Sequence, residues 1–552
     1  PKEDAAWFLK WHELQRLEAR EADKETHALW QQTPADRIAA GSAIGNLILL
    51  DAQETEKHEW IYRFRCENVS ELREGDEVLL SVDDPVRPRR NEVVSGSILT
   101  ISSTEVTVWA REEIPDANLI DRYSADVTNS RMLGNLTRWL HVDDHRRSLV
   151  RGAAKPRFDI DIPPITPALM AGLNGEQATA VVRALTMKDY LLIQGPPGTG
   201  KTKVIAAITH ALLARGYRVA LAAFTNQATD NMLARLVESG VTKVVRLGHE
   251  LATAPALRDY RLISQTRAQL GVEHPTAEQV RDTLRTTPVV AATVATWSSD
   301  EHEIDKTMPA FDVVIVDEAT QLTVPAALGA LRWGKRFILV GDERQLPPLV
   351  QSEAARDNGL GTSLFESLLA TAPEDACVRL RSQYRMNAAI NAFPSRAFYG
   401  GMLKPAPAVA QALLDITPAH HKQILDPAQP LVWVEVTPNS AAITKLNDAE
   451  ARIAAELARS FFASGVAPAD LGIIAPFRAQ AAHIRQMITD LVKDGTTVDT
   501  VDRFQGGERS IIILSLVATA APAPDSQLGK FLCDARRLNV ALTRARRKLV
   551  IL

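Results

Sequence analysis

Cysteine is scarce in this sequence: its 552 residues include three, Cys66, Cys377 and Cys533, which lie far apart and form no CxxC pair. That excludes a zinc ribbon or a four-cysteine iron-sulfur cluster built within the chain, and it fits a reducing compartment. An excess of one charge sign is also lacking. A formal net charge of -4 gives no general attraction to polyanions, so any nucleic-acid surface has to be a local patch. Long apolar runs are missing too. The longest, around Ile511 to Ala521, is too short to cross a bilayer, and the charged opening Pro1-Lys2-Glu3-Asp4 has no signal-peptide core. No membrane partner is expected, and the expected location is cytoplasmic, or nuclear in a eukaryote. Internal repeats and low-complexity tracts are absent. The chain starts without an initiator Met and stops on the strand-like run Lys548 to Leu552, so it reads as a piece of a longer polypeptide.

What is present is a hydrophobic content of 46%, ample for real cores, in a length that predicts about three to four domains. The chain is organised around Gln194-Gly195-Pro196-Pro197-Gly198-Thr199-Gly200-Lys201-Thr202, which follows the apolar run Tyr190 to Ile193 and precedes the amphipathic run Val204 to Leu213. Strand, glycine-rich turn and helix arrive in the order a phosphate cradle needs. Gly195, Gly198 and Gly200 let successive amides converge on a polyphosphate, with Thr199 inside the same turn. The positive helix end beginning near Lys201 adds to the field. The Lys201 ammonium reaches the outer phosphates, and the Thr202 hydroxyl takes a place on Mg²⁺. Gly216 is placed to end that helix after Arg215.

Ahead of the cradle, Trp7, Trp11, Leu14 and Leu17 recur at helical spacing, which predicts a long amphipathic helix to about Thr33-Pro34 whose tryptophans pack. From Ile44 to Ala110 short alternating segments (Leu47 to Leu50, Trp60 to Phe64, Val78 to Val82, Ile98 to Ile101, Val106 to Trp109) are divided by turns such as Glu74-Gly75-Asp76 and Asp83-Asp84-Pro85. They predict a small antiparallel barrel, either a nucleic-acid grip or a plain scaffold. A helical stretch near Ser130 to Val150 returns beside the first helix, and the Pro-rich link Ile162 to Pro167 marks a boundary. Beyond the cradle, strands at Arg218 to Ala223, Val244 to Leu247, Val289 to Ala292, Val313 to Val316 and Phe337 to Val340 alternate with helices, interrupted by a polar helical insertion from Leu251 to Arg285. A second alternation has strands at Val378 to Leu380, Leu431 to Val436, Leu471 to Ala475, Ile511 to Leu516 and Leu549 to Leu552. Two parallel sheets in tandem are expected.

Asp317-Glu318 ends the strand Val313 to Val316, at the sheet edge where ligands sit in open α/β folds. Asp317 is assigned to Mg²⁺ through its water shell, and Glu318 to orienting and deprotonating the attacking water. Gln345, after the next strand, can bond both a γ-phosphate and that water. Asp317-Glu318-Ala319-Thr320-Gln321 with Gly341-Asp342-Glu343-Arg344-Gln345-Leu346-Pro347-Pro348 resembles motifs II and III of superfamily 1 helicases, in their 5′-to-3′ subgroup. Gln383-Tyr384-Arg385-Met386 resembles motif IV, Thr500 to Glu508 motif V, and Arg537 to Arg546 motif VI, so the resemblance covers about the last two-thirds of the chain.

The resemblance implies two tandem RecA-like P-loop domains, parallel sheets covered by helices, carrying an N-terminal helical stalk and the small antiparallel β-barrel. The expected divisions are 1-39 for the stalk helix, 40-112 for the barrel, 113-162 for the returning helices and linker, 163-372 for the first RecA-like domain with its insertion near 250-288, and 373-552 for the second. It further implies that Gln177 reads the adenine edge, that Tyr384 stacks on the base, that Arg385 and Arg544 reach the γ-phosphate, and that Gly507 and Glu508 lie near γ-phosphate and ribose. Phe224-Thr225-Asn226-Gln227 resembles motif Ia and Thr293 to Thr296 motif Ic. Thr225, Asn226, Thr293, Thr296, Arg478 and Thr500 are thus the expected contacts to single-stranded nucleic acid, and they suit phosphates rather than base edges. For most of the aromatics Phe224, Trp297, Phe477 and Phe504, core packing is expected. Arg536, Arg547 and Lys548 read as a solvated face.

The stalk, the barrel and the run into Leu173-Asn174 resemble the group containing the nonsense-mediated-decay helicase, the immunoglobulin mu-binding helicase and the Okazaki-flap nuclease-helicase. The implied activity is ATP- and Mg²⁺-dependent 5′-to-3′ translocation and unwinding, with DNA favoured as the strand. An RNA helicase, or an ATP-gated clamp that does not unwind, is the alternative. Any nuclease or regulatory domain would lie outside this chain.

Overall fold

The computed structural model describes residues 2–55, 58–68, 70, 72, 76–83, 92–102, 104–123, 127–161, 164–299, 310–437, 445–504, 506–518, 529 and 532–552. Glu74, Gly75, Asp84 and Pro85 of the expected turns, Ile162 and Pro163 of the expected linker, and Gln505 lie outside the described residues. Two compact units emerge, one of Arg16–Ser130 with Gln351–Ala354, the other of Pro1–Gln15, Arg131–Val350 and Ala355–Leu552.

The smaller unit is built on strands β1 (Ala43–Ile44), β2 (Ile48–Glu54), β3 (Trp60–Arg65), β4 (Glu77–Ser81), β5 (Val93–Ile101), β6 (Glu105–Ala110) and β7 (Leu119–Arg122). They form an antiparallel sheet in the order β1-β7-β4-β5-β6-β3-β2. Alternation along β3, β5 and β6 sends Tyr62, Phe64, Ile98, Val106 and Val108 into one core, as a half-solvated antiparallel sheet requires. The sequence pattern does not announce β1 or β7, and β7 carries the sheet past residue 112. It is tied down by a bidentate pair with no solvent exposure at either side chain: Arg37 Nε donates to Asp121 Oδ1 at 2.7 Å and Nη2 to Oδ2 at 3.3 Å.

In the larger unit the first turns of helix Lys2–Trp30 bury Phe8, Trp11 and Leu14, with the Trp7 ring edge-on to Phe8 and Trp11. The tryptophan stripe is therefore a packing face here. Asp4 on this helix pairs with Arg151 at 2.9 Å and Arg147 at 3.4 Å on helix Asp144–Val150 and its C-terminal cap.

Strands β8 (Tyr190–Gln194), β9 (Val219–Ala223), β10 (Val244–Arg246), β11 (Val289–Thr293), β12 (Phe311–Asp317), β13 (Gly334–Gly341) and β14 (Cys377–Arg379) make a parallel sheet in the order β10-β11-β9-β12-β13-β8-β14. Its interior strands read as unbroken apolar runs because helices cover both faces, and Val313 to Val316 are fully buried. The apolar side chains contribute about 1.5–3 kcal/mol each relative to exposure. The insertion is helical as expected, with helices Leu262–Leu270 and Ala277–Thr286. One expectation fails. The strand at 377–379, expected to open the second alternation, pairs in parallel with β8 (Cys377 opposite Leu192), and Leu380 N donates to Gln194 O at 2.8 Å. It covers an edge that β8 would otherwise leave unpaired.

A short parallel pair, β15 (Ser382–Gln383) with β16 (Lys404–Pro405), follows. The second sheet then runs β17-β21-β20-β18-β19, all parallel, from β17 (Leu431–Trp433), β18 (Leu471–Ala475), β19 (Thr497–Thr500), β20 (Arg509–Leu514) and β21 (Ala545–Ile551). β19 escapes the apolar pattern, since its mostly polar run buries only Val498 and Thr500. Lys548, expected on a solvated face, is buried in β21 and donates to Asp426 O and Gln429 O, with burial pushing its pKa down to about 8.

Candidate nucleotide and nucleic-acid site

The strand order explains the site. β13 lies between β12 and β8, so three carboxyl ends converge on one spot: the cradle after β8, Asp317-Glu318 at the end of β12, and Asp342 to Gln345 after β13. Gly195 N donates to Gly341 O at 2.9 Å, fastening the start of the cradle to β13. Gly198 and Gly200 have φ of +74° and +81°, in the left-handed region that a side chain would strain. A Cβ on Gly198 would also lie 2.6 Å from Cβ of Arg385. Thr199 is buried, its hydroxyl donating to Pro196 O at 2.7 Å. Helix Lys201–Leu213 begins on Gly200 with no side-chain cap, so its first amides remain available to an anion.

Lys201 is turned inward, 3.1 Å from Gly195 O and 3.6 Å from Glu318 Oε1. Thr202 is half-buried beside it. Asp317 and Glu318 are both buried, and Glu318 holds a φ of +51°, a strained conformation for a non-glycine residue that costs about 1–3 kcal/mol. Burial, then the Glu318 charge, push the Asp317 carboxyl up to about 7 against the opposing pull of Lys201 and the Glu318 amide. A desolvated carboxylate pair in which each charge raises the cost of the other is a place where a further cation is stabilising. Among the described residues no cluster of three or more His, Cys, Asp or Glu could cage a metal by itself. Both facts fit Mg²⁺, which keeps waters and takes one or two protein oxygens plus phosphate.

The second sheet closes the site. Tyr384 N donates to Gly198 O at 2.8 Å, while the Tyr384 ring is 45% exposed and its hydroxyl accepts from Asn174 Nδ2 at 2.9 Å. A face for stacking is thus left open. Arg385 pairs with Glu508 and donates to Thr543 O at 3.1 Å. Burial works against the Glu508 charge, but Arg385 and then Arg546 outweigh it and hold the carboxyl below its ordinary range. Arg544 is buried, donating to Gly507 O at 3.2 Å and to Gln345 Oε1 at 3.1 Å. Burial and the neighbouring Arg385 push its pKa down to about 9 against the opposing pull of Glu318, Tyr399 and Glu508, so two guanidiniums converge on the site. Such a place favours a phosphate.

Two of the expected nucleotide contacts are engaged within the protein itself. Gln177 is almost fully buried: its Oε1 accepts from Asn174 N at 3.1 Å in a capping box and its Nε2 donates to Thr199 O at 3.0 Å, so it braces the cradle from behind. Gln345 is not a free probe either, since its Nε2 donates to Asp342 Oδ2 at 2.8 Å and its Oε1 accepts from Arg544.

The expected strand contacts occupy the other half of the first sheet, at the ends of neighbouring β9 and β11, and the ends of neighbouring β18 and β19 in the second. Thr225 is exposed and caps helix Asn226–Glu238. Asn226 is exposed, its Oδ1 accepting from Arg246 Nη2 at 2.8 Å. Thr293 caps helix Val294–Trp297, its hydroxyl 2.9 Å from that of Thr296. Arg478 is half-buried at the start of helix Arg478–Met487. Thr500 is buried, the β19 alternation turning it inward. Trp297 and Phe504 are core residues as expected, and Phe477 is half-buried, but Phe224 is 47% exposed at the end of β9.

Sequence reasoning misses several residues that hold these groups. Gln383, fully buried, accepts the amides of Arg385 (2.7 Å) and Met386 (2.8 Å) and so shapes the turn presenting Tyr384 and Arg385. Arg246 has no exposed side chain; it pairs with Asp230 at 2.7 Å while holding Asn226. Nothing in the spacing of Arg246 or Tyr399 signals a role.

The fold and site define the class: a tandem P-loop nucleotide-binding protein whose site is completed from its second domain. AAA domain families match residues 172–359 and 360–552. The DNA replication ATP-dependent helicase/nuclease DNA2 of Xenopus laevis is 32% identical over 592 residues, covering 99% of this chain and 54% of that protein. The Saccharomyces cerevisiae protein of that name is 34% identical over 438 residues, 74% of this chain and 28% of its own. The chain therefore spans about half the length, or less, of the curated relatives it matches. Among solved structures, an Arterivirus nonstructural protein 10 (helicase) with DNA aligns at TM-score 0.41 and 14% identity over 87% of this chain and 77% of that one, a loose superposition. The chain belongs to the superfamily 1 helicases, in the 5′-to-3′ group that includes the DNA2 helicase/nucleases.

Proposed function

We propose that this chain is the motor of an ATP-dependent DNA helicase that moves 5′ to 3′ along a single strand and displaces a duplex with a 5′ overhang. The observation that carries the reading is the convergence of both domains on one phosphate position: cradle, Lys201 and the Asp317-Glu318 pair from the first, Arg385 and Arg544 from the second. Mg²⁺, held by Thr202 and through water by Asp317, would neutralise phosphate charge there. Glu318 accepts the proton of the attacking water, and the two arginines stabilise charge on the transferred phosphoryl group. Because those arginines come from the far side of the cleft, hydrolysis is tied to domain engagement, and alternating grip by the ends of β9 and β11 and of β18 turns it into steps. Names of relatives favour DNA as the strand. The nuclease in those names is assigned to polypeptide outside this chain.

The test is steady-state ATP hydrolysis by the chain with no polymer, with single-stranded DNA, and with RNA of the same sequence, followed by displacement of a strand from a 5′-overhang duplex. Stimulation by DNA with strand release is expected. Equal stimulation by RNA would replace the substrate class, and stimulated hydrolysis without release would make the chain a clamp.

Arg246 supplies a second test of the strand path. Its donation to the Asn226 oxygen leaves the Asn226 amino group as the end free for phosphate. Arg246→Lys should weaken single-strand binding about 3- to 10-fold, the loss of one charge-assisted bond, with KM for ATP unchanged. Unaltered DNA affinity in a titration would remove Asn226 from the track.

A further inference from the structure

A chain of buried hydrogen bonds crosses between the two motor domains behind the nucleotide position, and its direction is dictated by its ends. Arg544 can only donate and the Asp342 carboxylate can only accept. Gln345 lies between them: its amino end donates to Asp342 Oδ2 at 2.8 Å and its carbonyl end accepts from Arg544 Nη2 at 3.1 Å. Turning the amide over would set donor against donor and acceptor against acceptor. From the second domain, the hydroxyl of Tyr399, at the end of helix Ala388–Tyr399, donates to the same Oδ2 at 2.7 Å. That hydroxyl accepts from Nδ2 of Asn539, on helix Ala535–Leu542, at 2.7 Å, and the same amino group donates to Arg344 O at 2.8 Å. Asp342, Gln345, Arg544 and Asn539 are each at most 2% exposed, so water does not substitute for these partners.

We propose that Asp342, Tyr399 and Asn539 are positioning residues that orient the Gln345 amide, so that its carbonyl faces Arg544 when the second domain is engaged and its register with Arg544 is lost when the domains part. The inference rests on the motor reading above. Its physical content is that the second domain reaches Gln345 twice, directly through Arg544 and indirectly through Tyr399 and Asp342. Two further features belong to such a device. The Asn539 Oδ1 is buried with no hydrogen-bond partner among the described residues, an unmet acceptor that another domain arrangement can satisfy. Tyr399 also lines a cavity of about 270 Å³ with Pro196, Leu380, Phe398, Met402 and Leu403, which gives its side chain room to leave Asp342.

Asp342→Asn and Tyr399→Phe test the proposal. The first substitution keeps the shape of the native side chain, but an amino group facing Gln345 forces that amide over, while one facing the Arg344 amide, now 3.1 Å from Oδ1, meets a donor. The second removes one hydroxyl and keeps the ring. Wild-type hydrolysis stimulated by single-stranded DNA establishes the motor reading first; its absence would sink that reading and this proposal with it. With wild type active, DNA-stimulated kcat should fall about 10-fold or more in Asp342→Asn and about 3- to 10-fold in Tyr399→Phe, the range for loss of one or two buried hydrogen bonds. KM for ATP and unfolding temperature in the presence of a non-hydrolysed ATP analogue should stay near wild type in Tyr399→Phe. Equal kcat in Tyr399→Phe and wild type would overturn the proposal while leaving the motor reading intact. So would a parallel fall of kcat, nucleotide affinity and unfolding temperature, the signature of a merely structural contact.

Discussion

Replacing Glu318 with Gln should lower DNA-stimulated ATP turnover by about 10²- to 10⁴-fold, the range of a lost general base, and leave nucleotide affinity within a few fold. The shape at the site is preserved, because Gln matches Glu in volume and the left-handed backbone at 318 is set by the turn into the segment Ala319–Gln321. What is lost is the proton acceptor. The same change removes one negative charge beside Asp317, with Lys201 and Arg544 nearby. ATP therefore has no electrostatic reason to bind more weakly. Phosphate release and equilibrium titration with a fluorescent ATP analogue separate the two quantities. Turnover at the wild-type rate would exclude Glu318 as the base, and a loss of binding equal to the loss of turnover would make it a binding residue. Lys201→Ala should differ in kind, reducing kcat and raising KM together, since its ammonium holds phosphate in ground and transition states alike.

Arg385→Ala should reduce kcat by about 10³-fold or more with ATP affinity unchanged, as expected for an arginine that supports only the transferred phosphoryl group. Arg385 is the cleaner of the two arginines to remove. Its partner Glu508 keeps an ion pair with Arg546, at 2.8 Å from Nε, so no unpaired carboxylate is created. Arg544 is buried and also donates to Val540 O, so truncating it would leave a cavity and take a donor from Val540 O, Gly507 O and Gln345 Oε1, mixing stability with catalysis. Single-turnover phosphate release after mixing with saturating ATP reads the chemical step directly. An unchanged burst rate would take Arg385 out of the catalytic set.

The parts of this protein most legible in its sequence are those where local pattern and chemistry coincide. The run Tyr190 to Thr202 is strand, cradle and helix in one continuous segment, and Asp317-Glu318 closes an apolar strand, so both can be placed without knowing what packs on them. β14 is assigned by pattern to the wrong sheet because a three-residue apolar segment looks the same whichever sheet it joins; only the open edge of β8 decides. β19 is hidden because Thr and Asp dominate its short run. Gln177 shows a subtler limit. Its position at N3 of helix Gly175–Thr186 could equally announce a capping box or a base reader, and the bond from its amino end to Thr199 O, which ties it to the cradle, has no signal in the local pattern. Arg246, Tyr399 and Asn539 act through partners 16 to 195 positions away, and no local window of sequence contains both ends of the longer bonds.

Although Arg385 faces the nucleotide from the second-domain side, it is anchored on both domains. The chain reaches it from β14, whose last residue, Arg379, is in register with Gln194, and the contacts forward are Leu380 N on Gln194 O, Arg381 N on Glu176 Oε2 and Tyr384 N on Gly198 O. Arg544, by contrast, directly precedes β21 in the second sheet. The first arginine bridges the cleft, its backbone approach tied to the wall that holds the phosphates and its side chain to Glu508 and Thr543 O of the opposite wall, whereas the second belongs to the opposite wall entirely. The pair thus behaves less like two fingers of one hand than like a hinge pin and a moving jaw, and it is Arg544 whose distance from the phosphates measures the gap.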